Sequence, residues 1–150
     1  MSQSLTKLMI HIVFHIKYNS VKIKREDMSA LCAYINGIIN NNQSSVYEIN
    51  GVEDHIHILC RMSKNIALKD LMNKIKSNSS RWLRDKYYYK DFSWQGGYGC
   101  FTVSESAIKN VKRYIRNQEN HHKKIKTKDE YVELLDKHNI EYDPQYLWDV

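Results

Sequence analysis

The sequence predicts an α+β sandwich, a four-stranded antiparallel sheet with two backing helices and an extra C-terminal helix that carries a tyrosine. Three observations predict it. Strand-like stretches rich in β-branched and aromatic residues alternate with stretches of helical apolar spacing, in the order β-α-β-β-α-β-α. Two strand-like stretches follow each other directly across Gly51, which marks a hairpin. The single proline, Pro144, lies in the tail, so none of the inner elements is interrupted by one.

Each element has its own signal. Residues 8–18, with Ile10, Ile12, Val13, Phe14 and Ile16, read as a central strand. Residues 25–42 place Met28, Leu31, Cys32, Ile35, Ile38 and Ile39 at helical spacing and close on an asparagine run that suits a helix end. The hairpin spans 45–50 and 53–62 around Gly51. Residues 66–86 carry Leu68, Leu71, Met72, Ile75, Trp82 and Leu83 on one face, a second amphipathic helix. Residues 94–103 are glycine-rich and then strand-like. Ser104 is placed to cap a third helix running through Tyr114 to about residue 123. A short helix over 129–137 precedes an aromatic tail, 142–148. This order suits the ferredoxin-like or RRM-like arrangement, to whose core the third helix is extra. Such a helix docks either on the sheet's open face or on another subunit.

With 150 residues the chain reads as one domain, 1–150, with 124–150 as a C-terminal extension. Lys and Arg total 23 against 17 Asp and Glu, a net charge of +6, which favours a polyanionic partner. Cys32, Cys60 and Cys100 are odd in number and without a CxxC, so they read as reduced apolar residues. No stretch approaches the roughly 20 apolar residues of a membrane span, and the N-terminus lacks a signal-peptide pattern. A cytoplasmic location is expected. The glycines at 96, 97 and 99 lack a P-loop lysine and read as a tight turn or bulge.

Chemistry is concentrated in two places. In the alternating run 52–60, His55 and His57 project from one strand face, their Cα atoms roughly 6–7 Å apart, a separation that lets two imidazoles meet on one metal ion. Ile56 and Ile58 supply the buried face, and Glu53 and Asp54 are acceptors that can fix an imidazole tautomer. Two satisfied sheet histidines are the competing reading. In the third helix, Tyr114 and Gln118 are four residues apart and share a face. Among 11 tyrosines, a helical Tyr beside Val111 and Ile115 also reads as core, and Gln118 as a solvated polar residue. If strand and helix meet, a metal site with a tyrosine beside it is a phosphoryl-transfer site. His121 and His122 read as a frayed helix end.

Three segments together resemble one known family: GVEDHIHIL at 51–59, FSWQGGYG at 92–99 and YIRNQENHH at 114–122. The chain resembles the single-tyrosine HUH transposases of the insertion-sequence 200/605 type, which include the REP-associated tyrosine transposases, over essentially its whole length. The resemblance implies that His55 and His57 are the metal-ligating pair, Tyr114 the nucleophile and Gln118 the third metal ligand. It implies Mg²⁺ or Mn²⁺ at a phosphate of single-stranded, hairpin-forming DNA. Cleavage and rejoining would pass through a 5′-phosphotyrosine, and the chain would work as a homodimer. Imidazole ligands lean toward Mn²⁺.

DNA contacts are expected from Lys74, Lys76, Arg81 and Arg84 on the second helix, and from Lys112, Arg113 and Arg116 beside Tyr114. Trp94, Tyr98 and Tyr87 to Tyr89 are candidates for stacking on unpaired bases, with packing as the alternative. Two rivals remain: an RRM-like nucleic-acid-binding module without chemistry, and a domesticated, catalytically retired DNA binder. The intact His-His-Tyr-Gln set argues against retirement.

Overall fold

A computed structural model describes residues 2–148. Residues 149 and 150, the end of the expected C-terminal extension, lie outside them. β1 (Leu8–His15) is followed by a 3₁₀ turn and α1 (Met28–Asn41), then β2 (Ser45–Val52) and β3 (His55–Met62). α2 (Leu68–Lys86), β4 (Gly99–Thr102), α3 (Ile108–Arg116), α4 (Gln118–His121) and α5 (Thr127–Lys137) complete the order. The four strands form one antiparallel sheet in the order β2-β3-β1-β4, with β1 and β3 in the middle.

Side-chain alternation divides the two central strands between two layers. Ile10, Ile12 and Phe14 of β1 and Ile56, Ile58 and Cys60 of β3 pack against Leu31, Ile35 and Ile39 of α1 and Leu71, Met72 and Ile75 of α2. The opposite parity faces the later helices. Met9 and Leu59 meet Ile115 of α3, while Val13 meets Tyr131 and Leu135 of α5 together with Phe101 of β4. Ile115 is fully buried and anchors α3 with about 1.5–3 kcal/mol of apolar burial. The extra helix therefore docks on its own sheet. On that covered face the central strands carry His11, His15, His55 and His57 among the apolar residues, all four buried.

The structure corrects several local expectations. The hairpin turn falls at Glu53 and Asp54, because Val52 already pairs with His55 and Gly51 with Ile56. Gly51 serves close approach and not the turn: a Cβ there would lie 2.5 Å from the His55 carbonyl oxygen and 2.6 Å from Ile56 Cδ1. β1 ends at His15, with Ile16 making only an isolated bridge to Trp94. Ser104 precedes a 3₁₀ turn and caps nothing with its side chain; its hydroxyl pairs with that of Ser106.

The third helix is broken. α3 stops at Arg116, Asn117 leaves helical geometry (φ −95°, ψ 20°), and α4 restarts at Gln118. The cause lies on β2, where Asn50 Nδ2 donates to the carbonyls of both Ile115 and Arg116 at 3.1 Å. Those are among the helix-end carbonyls that need outside donors, and Asn50 supplies them.

A Gly51→Ala substitution should lower stability by about 1–3 kcal/mol through overpacking against β3. Chemical denaturation of the two proteins checks this, and an unchanged midpoint would contradict the close approach.

Candidate metal centre and tyrosine

The alternation of β3 sets His55 and His57 side by side on the covered face, ring centroids 5.0 Å apart. Each imidazole is held from behind. His55 Nδ1 lies 2.8 Å from Asp54 Oδ1, which also accepts a 2.8 Å hydrogen bond from Thr127 Oγ1 at the start of α5. His57 Nδ1 lies 2.8 Å from His11 Nε2 on β1. Glu53, the other acceptor the sequence offers, turns outward to Lys22 at 3.1 Å. Both Nε2 atoms are thus left pointing into the space under α3, α4 and α5, the arrangement in which an outer partner fixes a ligating histidine.

That space is organised around Glu130 of α5, only 2% exposed. Its Oε1 lies 2.8 Å from His57 Nε2, 3.2 Å from His55 Nε2 and 3.1 Å from His122 Nε2. Its Oε2 accepts from the Tyr114 hydroxyl and, at 3.3 Å, from Gln118 Nε2, and it lies 3.2 Å from His121 Nε2. Gln118 Oε1 in turn is 3.2 Å from His55 Nε2. The structure therefore brings His55, His57, Tyr114 and Gln118 together within one chain, and adds Glu130, His122 and His11. The turn after α4 carries His122 inward, so it is no frayed end: its side chain is 9% exposed.

Electrostatics follow from this carboxylate. Burial disfavours charge on His55, but hydrogen bonds to Asp54 and Glu130 outweigh it and raise its pKa to about 9. Burial lowers His57 to about 4 despite Glu130, and lowers His11 to about 3. Burial would raise Glu130, yet the imidazoles of His122, His55 and His57 around it hold it well below the usual carboxylate range. Burial, and then the bond to Glu130, push the Tyr114 phenol above its ordinary range. The phenol is thus protonated and donating.

The donor set fits a divalent cation. One atom each from His55, His57, His122 and Glu130 all lie within 4.8 Å of one another. The Nε2 atoms of His121 and His122 are buried without any hydrogen bond, although a Glu130 oxygen is near. A cluster of three imidazoles and one carboxylate can hold a divalent metal, and its nitrogen content suits Mn²⁺ or a later transition metal better than Mg²⁺.

The basic residues divide between the two faces. α2 packs on the side of the sheet away from this cluster. Lys76 Nζ donates to the carbonyls of Gln95 and Gly97 at 2.5 and 2.8 Å, and burial lowers its pKa to about 8. Arg84 donates to Phe92 O and Lys74 to Asn42 Oδ1, so these three brace the fold; Arg81 is exposed. On α3, Arg116 is paired with Glu48 at 2.7 Å, Lys112 is half-buried, and Arg113 lines a surface hollow with Tyr114 and His121. Trp94 is core, donating to Ser79 Oγ, and Tyr89 is buried with its hydroxyl on Asp27, whereas Tyr88 is exposed.

Glu130 had no local signal, since an acid in the first turn of an amphipathic helix is ordinary. His122 was visible as a His-His doublet. His11 shares a strand face with Met9, Val13 and His15, a parity that sets histidines beside the His55 face once β1 and β3 pair.

A family model described as "Transposase IS200 like" matches residues 4–118. The ISDra2 transposase TnpA of Deinococcus radiodurans is 24% identical over 119 residues, covering 75% of this chain and 84% of that protein. The crystal structure of a D. radiodurans R1 protein provisionally named a transposase superposes with a TM-score of 0.62 at 21% identity, covering 79% of this chain and 98% of that one. A REP-associated tyrosine transposase bound to a REP hairpin gives a TM-score of 0.60 at 11% identity, over 81% of this chain and 74% of that one. Both structures share this fold.

Histidines unfold to a pKa near 6.5, so the depressed values of His11 and His57 add stability that is complete above pH 6.5 and lost as pH falls toward 4 and then 3. His55 acts oppositely, its contribution complete below pH 6.5 and lost as pH rises through about 9. Thermal melts of the metal-free chain should show Tm falling between pH 6.5 and about 5, above the ordinary carboxylate range. His11→Gln should flatten that slope; a wild-type Tm independent of pH there would contradict a neutral buried pair.

Proposed function

We propose, from the premise that the chain belongs to the IS200-like transposase family and is by that membership a DNA transposase, that it nicks and rejoins single-stranded DNA through Tyr114. One observation carries the reading: a phenol, two strand imidazoles and the Gln118 amide converge on a single buried anionic group in one chain. A phosphodiester is also an anion that needs donors and counter-charge around it. Residues 1–150 act as one HUH domain, with 124–150 as its extension. The chain works in the cytoplasm on the hairpin ends of an insertion sequence, as a homodimer; the hairpin-bound structural neighbour supports the choice of substrate. Among the described residues, no helix is long and apolar enough to cross a membrane.

His55 and His57 would hold Mg²⁺ or Mn²⁺, with Gln118 as the third ligand and His122 and Glu130 within reach. A cation held there would supply Lewis-acid polarisation of the phosphate and counter-charge for the in-line transition state. The remaining work belongs to the chain's own groups. Asp54 and Thr127 fix the His55 ring and His11 fixes that of His57, which leaves Nε2 of each free to face the site. Arg113 borders the exposed side of Tyr114 and holds a phosphate of the incoming strand. The Tyr114 oxygen bonds to phosphorus as the bond to the 3′ oxygen breaks. The phenol gives up one proton and the departing 3′ oxygen takes one up, leaving a 5′-phosphotyrosine and a 3′-hydroxyl. The energy of the ester is conserved, so rejoining requires no nucleotide.

In the arrangement described, Glu130 holds the phenol protonated and fills the space among the imidazoles. Two anions cannot share that space without strong repulsion. Substrate therefore enters as the Glu130 carboxylate moves off the Tyr114 hydroxyl. A catalytically retired DNA binder is the rival, and the chemistry separates the two.

With a single-stranded oligonucleotide and Mn²⁺, the wild-type chain should form a covalent adduct that resists denaturing electrophoresis. Tyr114→Phe should abolish it while oligonucleotide binding stays near wild type; an adduct with the Phe variant removes Tyr114 as nucleophile. The Tyr114 and His57 rings are 5.6 Å apart within one chain, so a mixture of Tyr114→Phe and His57→Ala proteins should stay inactive. Restored nicking in the mixture would show that the tyrosine completes the partner's site.

A further inference from the structure

Beside the His55 centre, on the other side of Asp54 and Thr127, lies a small cavity that the proposed chemistry does not use. It measures about 150 Å³ and is lined by Lys17, Tyr18, Lys22, Thr127, Lys128 and Trp148, with His15 and Asp54 in its wall. That volume is well below the 300–1,000 Å³ of drug-sized pockets and leaves room for little more than one planar ring. Three features of its wall are independent of one another.

The first is a pair of aromatic faces with a cation between them. Lys128 Nζ lies 5.7 Å from the Tyr18 ring centroid and 5.4 Å from that of Trp148. Tyr18 is 84% exposed, so its face is not committed to a core. Aromatic faces of this kind take nucleobases as readily as cations. The second is an open helix start. Thr127 and Lys128 begin the eleven-residue α5, whose N-cap residue Lys126 makes no side-chain capping bond. Free amides at a helix N-terminus favour an anion, and Lys17 and Lys128 add positive charge.

The third feature is His15. It is 7% exposed, its ring packs 5.3 Å from Tyr131 and 5.0 Å from Trp148, and its Nδ1 lies 3.1 Å from the Ile16 carbonyl oxygen. Its Nε2 is buried and makes no hydrogen bond. With Nδ1–H directed at the carbonyl, Nε2 of the neutral ring is a bare acceptor. A buried acceptor without a donor is costly unless a ligand supplies one. Base amino and imino groups are such donors. Asp54, the one acid in the wall among the described residues, is committed to His55 and Thr127.

We infer that this cavity is a subsite for one unpaired nucleotide of the single-stranded DNA, next to the phosphate that Tyr114 attacks. The base enters between Tyr18 and Trp148, displacing the Lys128 ammonium toward the backbone phosphate at the start of α5. Asp54 forms the shared wall, since it holds His55 on one side and borders the cavity on the other. Thr127, Lys128 and Trp148 lie beyond residues 4–118, so the C-terminal extension closes a cavity whose other wall comes from β1, the loop after it and the β2–β3 turn. The inference rests on the reading of Tyr114 as a single-strand nicking tyrosine.

The test uses the full chain carrying Tyr114→Phe, so that binding is read without cleavage, and a hairpin-free oligonucleotide with mixed bases. Binding should quench tryptophan fluorescence. Trp148→Phe in that background should remove most of the quench while keeping a ring in the slot. Trp148→Ala should weaken binding about tenfold, the size of one lost base–aromatic stack. Lys128→Gln, a surface change that leaves the fold alone, should weaken it by a smaller factor and reduce its salt dependence. Affinity and quench unchanged in all three, with adduct formation intact in the chain that retains Tyr114, would overturn the subsite and leave the nicking reading standing. Failure of the parent chain to bind the oligonucleotide, together with no adduct, would overturn both.

Discussion

The arrangement depends on one buried carboxylate. Glu130 stands on α5, yet its two oxygens meet side chains from β3, α3, α4 and the turn that follows. A carboxylate at 2% exposure is stable only if its surroundings supply donors and positive charge. Here they are two strand histidines, a histidine pair at the end of α4, an amide and a phenol. Removing one partner from a buried ion pair generally costs about 3–5 kcal/mol, so this contact ties the C-terminal helix to the sheet more firmly than the surface pair Arg116–Glu48 ties α3 to β2. The same contact charges His55 and keeps the Tyr114 phenol protonated. Structural order and chemical restraint come from one interaction.

That interaction also accounts for the covering of the second sheet face. A ferredoxin-like sheet buries one face under its two helices. Here β1 and β3 are buried on both sides, because α3 brings Ile115 to Met9 and Leu59 and α5 brings Tyr131 and Leu135 to Val13 and Phe101. The histidines sit between these two small apolar clusters. Water is largely excluded from them, which is why His11 and His57 are neutral and the charges that remain are strongly coupled. The extension beyond residue 124 contributes Glu130 to this centre and Trp148 to the cavity beside it, so it is packed into the fold and is no mere tail.

The order of elements, the pairing of a strand hairpin with two backing helices, and the one-face placement of His55 and His57 were legible in the sequence because each rests on a local period. Asp54 was legible as a tautomer-fixing acceptor because it adjoins His55. Glu130 and His11 were not, and His122 showed only as half of a doublet, since what gives them meaning is contact across 8 to 73 residues of chain with groups that no local pattern ties to them. The helix break at Asn117 was hidden for the same reason: the donor that ends α3 is Asn50 on β2. Gly51 misled in an instructive way, reading as a turn residue when its missing Cβ serves packing against His55 and Ile56. Lys76 and Arg84 read as free cations, but the Gln95, Gly97 and Phe92 carbonyls take them up.

The claim that the imidazoles around Glu130 form a metal centre is tested most directly by pulsed electron paramagnetic resonance of Mn²⁺ added to the chain. The wild type should show nitrogen couplings from directly bound imidazoles, reduced in number in His57→Ala. A bound Mn²⁺ with only oxygen and water ligands, or a spectrum unchanged by that substitution, would contradict it.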